Sequence, residues 1–168
     1  MQKDIHHIIQ QYQAKIFKTC LGFTANAEEA KDLLQEVCIN LWLGLEKFRE
    51  EAELSTWIYR VTVNTCLMYK RKRRITTLDI SKLPKVDNTQ LEVPTSDEED
   101  LKLLQQFIAE LPEKERIIIV LYLEELSYEA ISEILGISVN YVGVKINRTK
   151  KILTKKFKNY GRLKKNLE

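Results

Sequence analysis

The feature that most restricts what this chain can fold into is a break in its hydrophobic period. Apolar residues recur at helical spacing from the start to about Arg74, and again from about Asp97 to Lys158. Between those stretches, Ile75 to Ser96 carries Pro84, Pro94 and the run Asp87-Asn88-Thr89 with no sustained period. Such a segment reads as a flexible linker. The one strand-like run is Ile117 to Leu121, and Pro112-Glu113 just before it make a good first helical turn, so a buried helix is expected there. The expectation is an all-α chain of two small helical domains, 1–75 and 97–168, joined by a linker over 76–96. A length of 168 residues accommodates two such domains.

Composition narrows the class. No apolar run approaches the roughly 20 residues needed to span a bilayer. The opening Met1-Gln2-Lys3-Asp4-Ile5-His6-His7 also lacks the order of a signal peptide. A cytoplasmic protein without membrane insertion is expected. Cys20, Cys38 and Cys66 are odd in number, widely spaced and form no CxxC pair, which favours buried free thiols over metal or redox use. No cofactor is expected. The net charge of +3 hides a polarity along the chain. Lys70-Arg71-Lys72-Arg73-Arg74 is an unbroken basic block, Asp97-Glu98-Glu99-Asp100 is acidic, and from Lys145 onward ten basic residues face one acid, Glu168. Two separated basic segments suit two contacts with a polyanion. They could also be solvated helix ends, where cations complement the macrodipole.

The C-terminal half carries the sharper pattern. Tyr128 to Leu135 places Ala130, Ile131, Ile134 and Leu135 on one helical face, with Ser127 as N-cap. Gly136 follows where a helix commonly ends in a left-handed residue, and Ser138 can cap the next helix. In that helix Val139, Val142, Ile146 and Leu153 line one side. The opposite side carries Tyr141, Val144, Arg148, Lys151 and Lys155, flanked by Asn140 and Lys145. This is the layout of a helix-turn-helix whose second helix enters the major groove. Ser138, Asn140, Tyr141, Lys145, Arg148 and Lys151 are the candidate DNA-binding residues. An amphipathic helical hairpin also has a polar outer face, but here that face is cationic and almost free of acids.

The N-terminal half is less specific. Asn26 with Glu29 three residues on resembles a capping box. The helix after it should bury Ala30, Leu33, Leu34, Val37, Leu41, Leu45 and Phe48, leaving Asp32, Gln35 and Glu36 together beside that stripe. Such a cluster could dock on a basic partner, or could be an ordinary exposed face. After the polar loop Arg49-Glu50-Glu51-Ala52-Glu53, a helix starting near Ser55 aligns Trp57, Arg60, Asn64 and Arg71. An aromatic, cations and an amide in one stripe suit single-stranded DNA. Trp57 as a core residue competes evenly with that reading, and Tyr59 and Tyr69 lie off the stripe as packing residues.

Both halves resemble one family, the extracytoplasmic-function (ECF) sigma factors of bacterial RNA polymerase. The matching words are Ala30-Lys31-Asp32-Leu33-Leu34-Gln35-Glu36, Ser55-Thr56-Trp57-Ile58-Tyr59-Arg60 and Asn64-Thr65-Cys66-Leu67 running into the basic block. In the second half they are Leu111-Pro112, Arg116 and Leu126-Ser127-Tyr128-Glu129-Ala130-Ile131-Ser132-Glu133-Ile134-Leu135-Gly136-Ile137-Ser138. The resemblance implies that the first domain is region 2, with Asp32, Gln35 and Glu36 on the clamp helices of the polymerase core. Its loop from Phe48 to Glu53 and the following helix, with Trp57, Arg60, Asn64 and Arg71, would read and open the −10 element. The second domain would be region 4, reading the −35 duplex from Ser138 onward and meeting the polymerase flap. Promoter DNA, core polymerase and an anti-sigma factor are the implied partners. Two positions depart from the family: Gly143 stands where Lys is usual, and Met68 where Asp is frequent.

No nucleotide-binding glycine loop, metal-ligand set or nucleophile–base constellation is visible, so no enzymatic activity is expected. The rival expectations are a self-sufficient helix-turn-helix regulator and a helical adaptor that binds only proteins.

Overall fold

A computed structural model describes residues 5–24, 26–49, 51–76 and 96–167, excepting the side chains of 74–76, 96–98 and 163–167. It contains helices α1 (Ile5–Thr24), α2 (Ala27–Leu45), α3 (Leu54–Thr76), α4 (Ser96–Ala109), α5 (Glu113–Leu123), α6 (Tyr128–Leu135) and α7 (Val139–Leu167). There is no strand among the described residues. The expected linker, 76–96, lies outside the described residues except for its ends, Thr76 in α3 and Ser96 in α4. The chain divides into two compact units, the first built on α1, α2 and α3, the second on α4, α5, α7 and the beginning of α6.

In the first unit, α1 packs on α2 and α3, and α2 packs on α3. Ile16, Cys20 and Phe23 of α1, Ala30, Leu33, Val37 and Leu41 of α2, and Ile58, Val63 and Cys66 of α3 are buried. Each large apolar side chain among them contributes about 1.5–3 kcal/mol by leaving water. Leu34, Leu45 and Phe48, expected in the same core, are only half-buried because they sit at its margin. Hydroxyls caught in this core are satisfied locally. Thr62 donates to the Ile58 carbonyl at 2.8 Å and Thr65 to that of Val61 at 2.8 Å, while Asn40 Nδ2 donates to Thr65 Oγ1 at 3.0 Å across α2 and α3.

Cys20 and Cys66 are free thiols buried in this core, with the Cys66 thiol donating to Cys20 Sγ at 3.8 Å. That contact and burial push the Cys66 thiol far up, and both side chains pack as small apolar groups. Cys38 is only half-buried.

At the start of α2, Asn26 Oδ1 accepts from the backbone N–H groups of Glu28 and Glu29 at 2.9 and 3.2 Å. The reciprocal half of a capping box is not made. The Asn26 N–H donates to Thr24 Oγ1 at 3.3 Å, and the Glu29 carboxylate pairs with Arg73 of α3. One cation of the basic block therefore ties α3 to α2.

In the second unit, α5 packs on α7, and α4 packs on both. Ile117, Ile118, Ile119 and Leu121 are buried, as expected of a helix whose apolar run is continuous. Pro112 is the N-cap and Glu113 opens the helix. Arg116 Nη1 donates to the carbonyls of Ala109 and Leu111 at 3.2 and 3.1 Å, closing the end of α4. On α7, Val142, Ile146, Thr149 and Leu153 are buried. Farther along, Phe157 meets Phe107 edge-on with centroids 5.1 Å apart, and Lys156 pairs with Glu110. Val139, expected on the buried side, is 40% exposed because it lies at the first residue of α7, where the core has not yet begun.

Candidate functional site

The turn before α7 is set by three residues. Ser127 Oγ accepts from the Ala130 N–H at 3.1 Å and caps α6. Gly136 adopts φ +66°, the left-handed conformation that ends α6. A Cβ there would meet nothing within 4 Å, so glycine is required by conformation and not by space. Ser138 Oγ accepts from the Tyr141 N–H at 3.2 Å and starts α7. These capping roles follow the sequence reading.

Along α7, Asn140, Tyr141, Val144, Arg148, Lys151, Lys155, Lys158 and Arg162 are exposed. At about 100° per residue they share the side opposite Val142, Ile146 and Leu153. Lys145 sits between the two faces. Its ammonium lies 2.5 Å from Glu115 of α5, with side chains only 18% and 16% exposed, and 5.3 Å from the Tyr141 ring. The pairing holds the Glu115 carboxyl below its ordinary value and raises Lys145 above its own. Lys145, expected on the DNA-facing side, is thus engaged at the rim of the unit's own core. Lys150 donates to Tyr122 Oη at 2.7 Å and lies 4.2 Å above that ring. A Cβ on Gly143 would lie 3.4 Å from the Tyr128 ring, an ordinary contact, so the structure does not explain glycine at this position.

On α2, Asp32 and Gln35 are exposed and Glu36 is half-exposed, all on the side away from Leu33, Val37 and Leu41. The same side continues into Ile39, Trp42 and Leu43, each more than half exposed, Trp42 at 66%. These three were missed in the sequence. Their offsets of seven, ten and eleven from Asp32 were available to find them. Acid and amide thus run into large exposed apolar groups along one face of α2.

On α3, Asn64 and Arg71 are exposed and Arg60 half-exposed, with Leu67 and Met68 exposed on the same side. Trp57 is different. Its ring lies 5.0 Å from that of Phe48, and a Cβ on Gly44 would come within 3.1 Å of it. Trp57 therefore anchors the start of the α2–α3 loop. Tyr59 is buried, and the Tyr69 ring stands 6.0 Å from the Arg73 guanidinium. Among the described residues no cluster of His, Cys, Asp and Glu could hold a metal ion, and no helix is long and apolar enough to cross a membrane.

Comparison with known proteins follows this division. Residues 8–75 match Sigma-70 region 2 and residues 101–153 match Sigma-70, region 4. The ECF RNA polymerase sigma factor SigW of Bacillus subtilis is 30% identical over 164 residues, covering 90% of this chain and 88% of that protein. The RNA polymerase sigma factor YlaC of the same organism is also 30% identical, covering 90% of each. Among solved structures, the sigma factor RpoE bound to the anti-sigma factor NepR from Bartonella quintana superposes with a TM-score of 0.75 at 19% identity, covering 93% of this chain and 98% of that one. CnrH in complex with the cytosolic domain of CnrY gives 0.66 at 16% identity, covering 95% and 90%. At those identities the structural likeness is one of fold.

Proposed function

The chain belongs to the ECF sigma factors of RNA polymerase, which act in transcription initiation without catalysis of their own, and from that premise we propose how its surfaces divide the work. Residues 1–75 serve as region 2 and 97–168 as region 4. Asp32, Gln35 and Glu36, continued by Ile39, Trp42 and Leu43, dock on the clamp helices of core polymerase. The acids meet basic groups there, and the apolar residues supply the buried centre of the contact. The observation that carries this reading is the chemical opposition of two exposed helix faces, acid and apolar on α2, cationic on α7.

The outer face of α7 reads the −35 duplex from its capped end at Ser138. Asn140 and Tyr141 face base edges, and Arg148 and Lys151 meet bases or phosphates. Lys145 contributes there only by leaving Glu115. Arg60, Asn64 and Arg71 hold the −10 strand, with Trp57 fixing the loop from Phe48 to Glu53 that reads it. Melting proceeds by capture of unstacked bases, whose unstacking costs a few kcal/mol each and least at flexible TA steps. Core polymerase holds the two DNA contacts at fixed spacing, so neither domain needs high affinity alone. The flap of the polymerase would receive the second domain. An anti-sigma factor, such as the one bound to the structural neighbour RpoE, is the expected inhibitor.

The test is transcription in vitro with core polymerase and genomic fragments. The expected result is initiation at a defined set of promoters only when the chain is added, with little specific duplex binding by the chain alone. Tight specific binding at physiological salt without polymerase, or no promoter-specific initiation with it, overturns the reading and favours a self-sufficient regulator.

A further inference from the structure

The first turns of α7 do not look like a helix that recognises DNA through charge. The cations begin at Arg148, while Lys145 is held by Glu115. What the helix presents ahead of Arg148 is apolar or amide: Tyr141 is 38% exposed, Val144 is 56% exposed, and Asn140 lies beside them. Tyr141 and Val144 are one turn apart on the outer face. Their separation along the axis is about 4.5 Å, close to the rise of one to two base pairs. Both point to the side on which Arg148, Lys151 and Lys155 follow, so charge complementarity brings this apolar pair against a polyanion. In the major groove a single group offers an apolar surface, the C5-methyl of thymine.

Resting on the assignment of α7 as the −35 reading helix, we infer that Tyr141 and Val144 are specificity-determining residues that select thymine methyl groups at two neighbouring base pairs. Glu115 is a positioning residue in this scheme. By holding Lys145 against the Tyr141 ring it fixes the ring's place and withholds a cation that would bind any sequence.

The experiment uses the full chain assembled with core polymerase. A randomised duplex pool is selected for binding, and the enriched −35 element is rebuilt with deoxyuridine in place of each thymidine, which removes the methyl and leaves base pairing intact. The expected motif contains thymines within a window of about three base pairs. Loss of each contacted methyl should weaken binding roughly four-fold, the worth of one buried methyl group. Val144→Ala and Tyr141→Ala should each abolish the penalty at one position, and both sites are exposed enough to be changed without disturbing the core. Arg148→Ala should weaken thymidine and deoxyuridine probes equally. A motif without thymine, or equal affinity for both probes while Arg148→Ala still weakens binding, overturns this inference alone. Binding indifferent to Arg148→Ala as well overturns the assignment of α7 as the reading helix, and this inference with it.

Discussion

Helices α2 and α7 solve the same folding problem and leave opposite surfaces. Each buries one stripe, Leu33, Val37 and Leu41 in the first, Val142, Ile146 and Leu153 in the second. The remaining side of α2 runs from Asp32 to Leu43, acid first and then apolar. That of α7 runs from Asn140 to Arg162, apolar first and then cationic. Burial pattern fixed the helices in both cases and said nothing about partners. The exposed side, which contributes little to stability, is where the two differ. A polypeptide partner can bury the apolar end of α2, whereas only a polyanion satisfies so many cations in a row.

The contrast can be broken at its strongest point first. Trp42→Ala should cost about 2 kcal/mol or more of affinity for core polymerase, as central interface tryptophans do. It should leave thermal unfolding nearly unchanged, because the side chain is already in water. Competition against a labelled sigma factor for core enzyme measures the first, and calorimetry the second. On α7, Arg148→Ala should cost about 1–3 kcal/mol in promoter binding if the guanidinium makes a bidentate base contact. Affinity for core polymerase should not move.

Two smaller effects concern the frame that presents α7. Gly136→Ala should destabilise the fold by about 1–2 kcal/mol, since φ +66° is strained for any residue with a Cβ and no clash adds to it. Denaturant unfolding followed by circular dichroism reads this directly. The Lys145–Glu115 pair predicts a pH effect. Glu115 has a depressed folded value, so its contribution is present above its ordinary 4.5 and is lost as pH falls through the folded value below that. Lys145 has a raised one, so its contribution is present below 10.5 and is lost at still higher pH. Unfolding curves of Glu115→Gln should therefore be less sensitive to acid below pH 4.5 than those of the parent chain.

Legibility in the sequence followed the range of the forces involved. Helices, caps and the Gly136 turn depend on neighbours within four residues, and Ser127, Gly136, Ser138 and Asn26 could be read directly. The positive φ of Glu125 gave no such sign, because nothing in its residue type asks for it. Pairings between helices were out of reach. Lys145 looked like any cation of the outer face, and only the fold brings Glu115, thirty residues earlier, to its ammonium. The sequence offers base stacking and packing for Trp57 alike, and only the fold brings Phe48 and Gly44 of the preceding loop and helix to its ring. The apolar extension of the α2 face went unread because Ile39, Trp42 and Leu43 resemble core residues until burial shows otherwise.

Whether the two faces serve two separate partners is decided by a crossed measurement. The double variant Asp32→Lys, Glu36→Lys and the single variant Arg148→Ala are each titrated as full chains against core polymerase. They are then titrated, at low salt, against duplex DNA carrying the selected −35 element. The first should lose core binding and keep DNA binding, and the second should do the reverse. Loss of both activities in either variant, with the fold intact by circular dichroism, would show that the two faces do not serve separate partners.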